Sequence, residues 1–293
     1  MLRMQGVTKQ FGRFYALREL NMTVPKGAIY GLVGPNGAGK STALRHATGI
    51  CRPDKGQVYF DGLSVYENPQ IKSRIAYIPD EIFFFPSATL EDMRKFYRGM
   101  YPTFDDGLFT QLLDVFPQLR KAPISRYSKG MQKQAAFQLS LCTHPDMLVL
   151  DEPVDGLDPV IRRQVWSLIQ EDVSNRGSTV LISSHNLREL EDLCDHVGIM
   201  ERGKMIMECS LSQLQRSTVK VQLVGQPPAG LEILNKTASG RLQTLVVRGS
   251  AQEITPRLQE ANLTYSDVLP LTLEELFIYD LGGMDSELQN ILL

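Results

Sequence analysis

The nine-residue stretch GPNGAGKST, at Gly34–Thr42, constrains the fold more than any other part of the chain. It follows the apolar run AIYGLV at 28–33, which is typical of a buried strand, and it precedes a run with helical character at 41–49. It matches the pattern G-x-x-x-x-G-K-[ST], in which glycines allow successive backbone N–H groups to point at phosphate oxygens. The sequence therefore predicts a strand, a phosphate-binding loop (P-loop) and a helix in succession.

Each part of this loop has a predicted contact with a nucleotide. Lys40 is long enough to reach the β- and γ-phosphates, and the Ser41 hydroxyl is placed to ligate Mg²⁺. The N-terminus of the following helix adds its dipole. The predicted nucleotide-binding residues of the loop are Gly34, Pro35, Asn36, Gly37, Ala38, Gly39, Lys40, Ser41 and Thr42. A glycine turn that only joins a strand to a helix is the alternative, but the strand and helix on either side favour nucleotide binding.

Composition limits the class of protein without naming it. The chain has 293 residues, of which 43% are hydrophobic and 22% charged, and its net charge is −2, so it is an ordinary globular chain without a strong preference for polyanions. Its four cysteines are scattered without metal-like spacing, which indicates reduced thiols. No apolar segment approaches the length of a membrane span, and the N-terminus lacks the apolar core of a signal peptide. We expect a soluble, cytoplasmic chain.

A second motif places two acids at the end of an apolar strand, in MLVLDEP at 147–153. In a parallel sheet the carboxyl ends of the strands face the ligand crevice. Asp151 is therefore expected to approach the metal, and Glu152 could polarise an attacking water molecule. Taken alone, the two acids are better explained as a strand end that caps the next element, but the P-loop upstream favours the catalytic interpretation.

Strand-like and helix-like runs alternate along the chain, which predicts an α/β fold with a parallel sheet. Helical periodicity indicates a helical subdomain at about 87–140. The tail at 211–293 contains six basic and nine acidic residues, a strand-like TLVVRG and a helix-like TPRLQEAN at 255–262. We expect a main domain at 1–210 and a small α+β appendage at 211–293.

Three further motifs complete a family pattern: YSKGMQKQ at 127–134, GLD at 156–158 and SSH at 183–185. Together with the P-loop and the DE pair, their order over roughly residues 1–210 resembles an ATP-binding-cassette (ABC) ATPase. The resemblance implies a P-loop NTPase with a RecA-like parallel-sheet core, an antiparallel β subdomain and a helical subdomain. It also implies hydrolysis of ATP with Mg²⁺ as cofactor.

The resemblance assigns roles within one ATPase domain by position. Phe11, in TKQFG, matches the aromatic residue that stacks on adenine, although a core phenylalanine is the alternative. Glu152 matches the catalytic carboxylate, which works with Lys40. His185 matches the switch histidine that hydrogen-bonds the γ-phosphate. Asp80 falls where the family has its Q-loop glutamine, so it is a candidate metal-site residue, the alternative being a solvated loop acid.

Other assignments concern a second subunit. Ser128 and Gly130 match the signature segment that contacts the nucleotide bound by the opposite ATPase, and Asp158 matches a loop that crosses the dimer interface. The usual signature is LSGGQ, whereas this chain has YSKGM at 127–131. The SKGM variant, and TLEELFIYDLGG at 272–283, resemble ATPases of ABC-2-type exporters.

The resemblance further implies separate transmembrane permease subunits as partners and a location at the cytoplasmic face of the cell membrane. A second ATPase subunit is expected, with two copies of this chain favoured over a heterodimer, and no nucleic acid is expected. A regulatory subunit with little turnover and a soluble ATPase acting on nucleic acid or the ribosome are the alternatives.

We term YIPDEIFFFP, at 77–86, the docking segment. Some of its three phenylalanines, Phe83, Phe84 and Phe85, are predicted to line a cleft for the permease, and the alternative for each is packing inside the helical subdomain.

Overall fold

The computed structural model describes residues 1–119, 122–191, 193–212, 218–261, 263–272 and 275. The chain divides into two compact units. The first comprises Met1–His185 with His196–Glu208, and the second is formed by the described residues of 186–195 and 209–293. The boundary at 210 stays a prediction. Within the described ranges, no helix combines the length and the apolar character that a membrane crossing requires.

An antiparallel sheet begins the first unit. Its strands lie in the order β2-β1-β4-β5. They are β1 (Leu2–Phe11), β2 (Phe14–Val24), β4 (Lys55–Phe60) and β5 (Leu63–Ser64). Leu2 and Met4 are buried and alternate with exposed neighbours, as expected for a strand with one face on the core. The sheet corresponds to the expected antiparallel β subdomain.

The central sheet has the order β10-β9-β3-β8-β7-β6. Its strands are β3 (Ile29–Val33), β6 (Ile75–Ile78), β7 (Met147–Asp151), β8 (Thr179–Ser184), β9 (His196–Glu201) and β10 (Lys204–Ser210). Neighbouring strands from β9 to β6 are parallel. Every residue of β3, β7 and β8 is buried, which is typical of a sheet covered on both faces. Their carboxyl ends meet at one edge, where the site lies.

Most helices described in the first unit begin at side-chain caps. Asn68, Thr89, Asp105, Ser128 and Asp158 each accept a hydrogen bond from a backbone N–H of the helix that follows. These helices are α2 (Pro69–Lys72), α3 (Leu90–Met100), α4 (Asp106–Val115), α5 (Lys129–Leu141) and α6 (Pro159–Arg176). The first helix, α1 (Lys40–Ala47), instead follows Gly39 without a side-chain cap. Helices α3 to α5 occupy the region predicted to be helical.

The second unit is an α+β arrangement. A short helix, α7 (Arg188–Glu191), precedes a sheet of order β12-β13-β11-β14. The strands are β11 (Thr218–Val224), β12 (Glu232–Ser239), β13 (Leu242–Arg248) and β14 (Tyr265–Leu269). Ile254 and Leu258, on α8 (Ala251–Gln259), pack against the buried side chains of this sheet.

Of two predicted segments in the tail, one is found with shifted bounds and the other lies mostly outside the described residues. The helix predicted at 255–262 is found at Ala251–Gln259, because Ser250 and Glu253 form a capping box that begins it earlier. Most of the segment at 272–283 lies outside the described residues. Thr272 and Glu275 are described, and the carboxylate of Glu275 lies 2.7 Å from Nζ of Lys220.

Candidate active site

The loop between β3 and α1 requires its glycines. Gly37 and Gly39 have φ angles of 83° and 105°, in the left-handed region that side chains disfavour. A Cβ atom at Gly39 would lie 2.5 Å from the carbonyl oxygen of Ala16. The loop borders a cleft of about 270 Å³, which Phe14, Asp80 and Glu152 also line. The structure thus presents an open cradle bounded by backbone and by two acids.

Lys40 is held at the bottom of this cradle with only 6% of its surface exposed. Its Nζ donates to the carbonyl oxygen of Gly34 at 2.7 Å and lies 3.3 Å from Oε1 of Glu152. A buried ammonium group is stable only with such partners. The loop lysine and the predicted catalytic carboxylate are therefore in direct contact.

Asp151 is buried at the end of β7 and accepts two hydroxyl hydrogen bonds at Oδ1. The Ser41 hydroxyl donates at 3.1 Å and the Ser183 hydroxyl at 2.6 Å. The Tyr77 hydroxyl lies 3.5 Å from Oδ2, and burial together with the negative charge of Asp151 raises the pKa of Tyr77 to about 12. Carboxylate and hydroxyl oxygens are ligands that suit Mg²⁺, so Ser41 and Asp151 fit the predicted metal site.

The carboxylate of Glu152 lies between two nitrogen groups. Its Oε2 is 2.9 Å from Nδ1 of His185, on the side opposite the contact of Oε1 with Lys40. The Glu152 backbone has a φ of 46°, which is uncommon for a residue with a side chain, and its N–H donates to the Ser183 hydroxyl at 3.0 Å. The two predicted catalytic residues at the ends of β7 and β8 are therefore brought together.

Asp80 lines the same cleft, beyond the end of β6. Its Oδ1 lies 3.3 Å from Nζ of Lys133, on α5. The sequence did not predict a role for Lys133, because a lysine within a helix usually faces solvent and its neighbour Asp80 is distant in the chain. Its position in YSKGMQKQ, close to the signature residues, could have indicated the site.

The two phenylalanines of FGRF face each other across the hairpin of β1 and β2. Phe11 and Phe14 are register partners, and both are exposed. Phe14 lines the cleft beside the P-loop, whereas the Lys9 ammonium lies 5.5 Å from the centre of the Phe11 ring. A place for Phe14 at the cleft was not predicted from the sequence. The tight turn in FGRF could have indicated it, because such a turn brings Phe14 opposite Phe11. Stacking of Phe11 on adenine stays a prediction.

Ser128 and Asp158 are exposed and cap α5 and α6. A Cβ atom at Gly130 would lie 3.2 Å from the carbonyl oxygen of Gly156, so the YSKGM and GLD segments approach each other within this chain. Among the described residues, these signature and GLD positions do not belong to the lining of the cleft that contains the P-loop.

Known proteins are similar to this chain in sequence. Residues 17–155 match the family model described as ABC transporter. YtrB of Bacillus subtilis, an ABC transporter ATP-binding protein, is 30% identical over 288 residues, covering 97% of this chain and 99% of YtrB. The lantibiotic transport ATP-binding protein SrtF of Streptococcus pyogenes is 34% identical over 209 residues, covering 71% of this chain and 90% of SrtF.

A solved structure agrees with the fold. The dimeric post-hydrolysis structure of the ATP-binding cassette MJ0796, bound to ADP and Pi, covers 72% of this chain and 99% of its own, with a TM-score of 0.65 and 22% identity. The fold class predicted from the sequence is confirmed. The chain belongs to the family of ABC transporter ATP-binding proteins and is an ATPase.

Proposed function

We propose that this chain is the motor subunit of an ABC exporter, in which ATP binding closes a dimer and hydrolysis reopens it. The observation that carries the proposal is the position of Glu152. Its carboxylate lies 3.3 Å from Nζ of Lys40 and 2.9 Å from Nδ1 of His185, next to Asp151. This grouping places a base beside the groups that would bind the γ-phosphate.

In the proposed reaction the backbone N–H groups of the P-loop bind the phosphates and Lys40 moves from Glu152 to their oxygens. Glu152 then accepts a proton from a water molecule as the water oxygen attacks the γ-phosphorus. The bond between that phosphorus and the bridging oxygen breaks, and ADP leaves with the electron pair. His185 donates a hydrogen bond to the γ-phosphate and stabilises the negative charge on its oxygens. Positioning and electrostatics thus provide the catalysis.

We propose Mg²⁺ as cofactor, held by Ser41 and Asp151. When bound, it would neutralise phosphate charge. The hydrogen bond between the two residues already brings a hydroxyl and a carboxylate oxygen together, which supports the assignment. Asp80, which the sequence also suggested as a metal-site residue, lines the same cleft but lies 3.3 Å from Nζ of Lys133, so it is not included among the proposed ligands.

The active form is proposed to be a dimer of two copies of this chain. Ser128, Gly130 and Asp158 lie away from the lining of their own P-loop cleft, so they are available to complete the site of a partner.

The proposed partners in the membrane are permease subunits that contact an aromatic patch, comprising Phe83, Phe85, Phe96 and Met100. Phe83 is 79% exposed and Phe85 is 47% exposed, whereas Phe84 is half-buried. The rings of Phe85 and Phe96 meet edge to face with their centres 5.1 Å apart. Burying one phenylalanine yields about 1.5–3 kcal/mol, so the patch suits an apolar partner.

Export and location follow from the same proposal. The docking segment and the SKGM signature support a subunit that lies at the cytoplasmic face of the cell membrane and drives export. SrtF, a relative of this chain, has a name that assigns it to lantibiotic transport.

ATP hydrolysis by the purified chain tests the catalytic part. With Mg²⁺, Glu152→Gln should lower kcat by about 10²–10⁴-fold, as expected for loss of a base beside the reacting water. It should also trap an ATP-bound dimer visible by light scattering. Glu260→Gln, at an exposed glutamate on the second unit, is the matched control. Hydrolysis by Glu152→Gln at the wild-type rate would contradict the proposal, as would tight binding of RNA or DNA at physiological salt.

Sedimentation with membranes tests the docking part. The double variant Phe83→Ser/Phe85→Ser should lose association with membranes of the source cells while it keeps its affinity for ATP. Ile233→Ser, at an apolar residue of the second unit that is 40% exposed, is the control. Unchanged membrane association of the double variant would exclude the aromatic patch as the docking site.

A further inference from the structure

A buried lysine joins two parts of the site. Lys133 lies in the first half of α5 with only 4% of its surface exposed, although an ammonium group is strongly hydrated in water. Its Nζ donates to the carbonyl oxygen of Glu152 at 2.7 Å and lies 3.3 Å from Oδ1 of Asp80. These contacts account for the burial of the charge.

The contact with Glu152 is made to its backbone. Glu152 has a φ of 46°, a conformation that persists in side-chain-bearing residues only where the surroundings hold it. Its N–H donates to the Ser183 hydroxyl at 3.0 Å, and its carbonyl accepts from Lys133. The peptide groups on both sides of Glu152 are therefore fixed, and with them the direction of its carboxylate.

The contact with Asp80 reaches the docking segment. Asp80 follows β6 and precedes the exposed Phe83, and its side chain is 52% exposed. A partner that moves the docking segment would also move Asp80. The charge of Lys133 is attracted to Asp80 and to the Glu152 carbonyl, so a shift in one contact alters the other.

We infer that Lys133 is a positioning residue for ATP hydrolysis, which holds Glu152 in its catalytic orientation and links it to Asp80 in the docking segment. This inference rests on the proposed catalytic role of Glu152. It assigns Asp80 the role of counter-ion to Lys133. An ammonium group at 3.3 Å opposes the approach of a second cation, which disfavours Asp80 as a ligand of Mg²⁺.

The first test is Lys133→Met, which replaces the buried ammonium with an apolar group of similar length. Asp80 stays half exposed and hydrated, so the fold should persist. We expect kcat to fall about 10–100-fold, as for a misplaced catalytic group, while the dissociation constant for a fluorescent ATP analogue changes less than about threefold. Lys95→Gln, at an exposed lysine on α3, is the control. Lys133→Gln, whose amide can still donate to the Glu152 carbonyl, should recover part of kcat.

The second test is a double-mutant cycle with Asp80→Asn. If the link exists, the double variant Asp80→Asn/Lys133→Met should lose no more kcat than Lys133→Met alone, because both changes break one connection. Independent multiplication of the two losses would overturn the inference. So would a higher Mg²⁺ requirement in Asp80→Asn, which would make Asp80 a metal ligand.

The remaining outcomes separate the inference from the proposed function. A wild-type kcat in Lys133→Met together with an inactive Glu152→Gln would overturn the inference alone. Wild-type rates in both variants would remove the catalytic role of Glu152 as well. Unfolding of both Lys133→Met and Lys133→Gln would make Lys133 a structural residue and would also overturn the inference.

Discussion

The backbone N–H of Glu152 donates to the hydroxyl of Ser183 at 3.0 Å, and this bond joins the ends of two neighbouring parallel strands. The same hydroxyl donates to Asp151 at 2.6 Å. Ser183 therefore hydrogen-bonds both acids of the DE pair, of which Asp151 is the candidate metal ligand and Glu152 the candidate base.

Ser183→Ala should therefore impair both folding and catalysis. Loss of the hydroxyl removes the partner of a partly buried N–H and a buried hydrogen bond to Asp151, which costs about 1–3 kcal/mol in the free energy of unfolding. We expect kcat to fall about tenfold as Glu152 becomes less well positioned. Chemical denaturation and steady-state ATPase assays measure the two effects. The control is Ser73→Ala, at an exposed serine, and a Ser183→Ala protein as stable and active as wild type would contradict this prediction.

Lys40→Met should weaken nucleotide binding. Charged hydrogen bonds contribute about 1.5–3 kcal/mol, which corresponds to about 10–100-fold in affinity for ATP. Titration with a fluorescent ATP analogue measures the change. Lys26→Met, at an exposed lysine outside the cleft, should bind as wild type does. An affinity of Lys40→Met within about twofold of wild type would show that the P-loop lysine does not contact phosphate.

Gly39→Ala should destabilise the first unit. The φ of 105° disfavours any side chain, and the added Cβ would meet the carbonyl oxygen of Ala16 at 2.5 Å. We expect a loss of about 1–3 kcal/mol in the free energy of unfolding. In Gly99→Ala, within α3, the new Cβ meets no atom within 4 Å, so helix propensity should stabilise the protein by about 0.5–1 kcal/mol. Equal stabilities of the two variants would contradict the explanation.

Alkaline pH should destabilise the wild-type protein more than Tyr97→Phe. Burial, and secondarily the neighbouring Tyr101, raises the pKa of Tyr97 to about 12. The folded state therefore holds this proton more tightly than the unfolded state, whose tyrosine pKa is about 10. The stabilising contribution is complete below about pH 10 and is lost as the pH rises toward about 12.

The measurement is the free energy of unfolding of both proteins from about pH 8 to about pH 11. The wild-type value should fall faster than that of Tyr97→Phe above about pH 10. Parallel curves for the two proteins would show that Tyr97 titrates alike in the folded and unfolded states.

The sequence predicted the parts of the site that are local. The P-loop and the end of β7 are contiguous motifs whose residue types follow from the chemistry of phosphate and Mg²⁺, and the structure places them side by side. The supporting roles of Lys133 and Ser183 were not predicted. Each role depends on contacts between segments that are distant in the chain. A single sequence contains no direct signal for such pairs.

The same limit applies to the aromatic residues. Phe11 was identified by its motif, whereas Phe14 faces the P-loop cleft because of the turn that joins β1 to β2. The exposure of Phe83 and Phe85 also depends on tertiary packing, since a run of three phenylalanines is compatible with a core or a surface. The boundaries of α8 differed from prediction because a capping box decided where the helix begins.

The strand order of the central sheet has a consequence for biosynthesis. The P-loop strand β3 is flanked by β8 and β9, and Ile29 pairs with Val180. The nascent chain therefore carries an apolar strand without its neighbours until residues near 180 have left the ribosome. Contacts so distant in sequence slow folding and leave apolar surface open to aggregation. Cellular chaperones should accordingly matter most for this protein while it is still being synthesised.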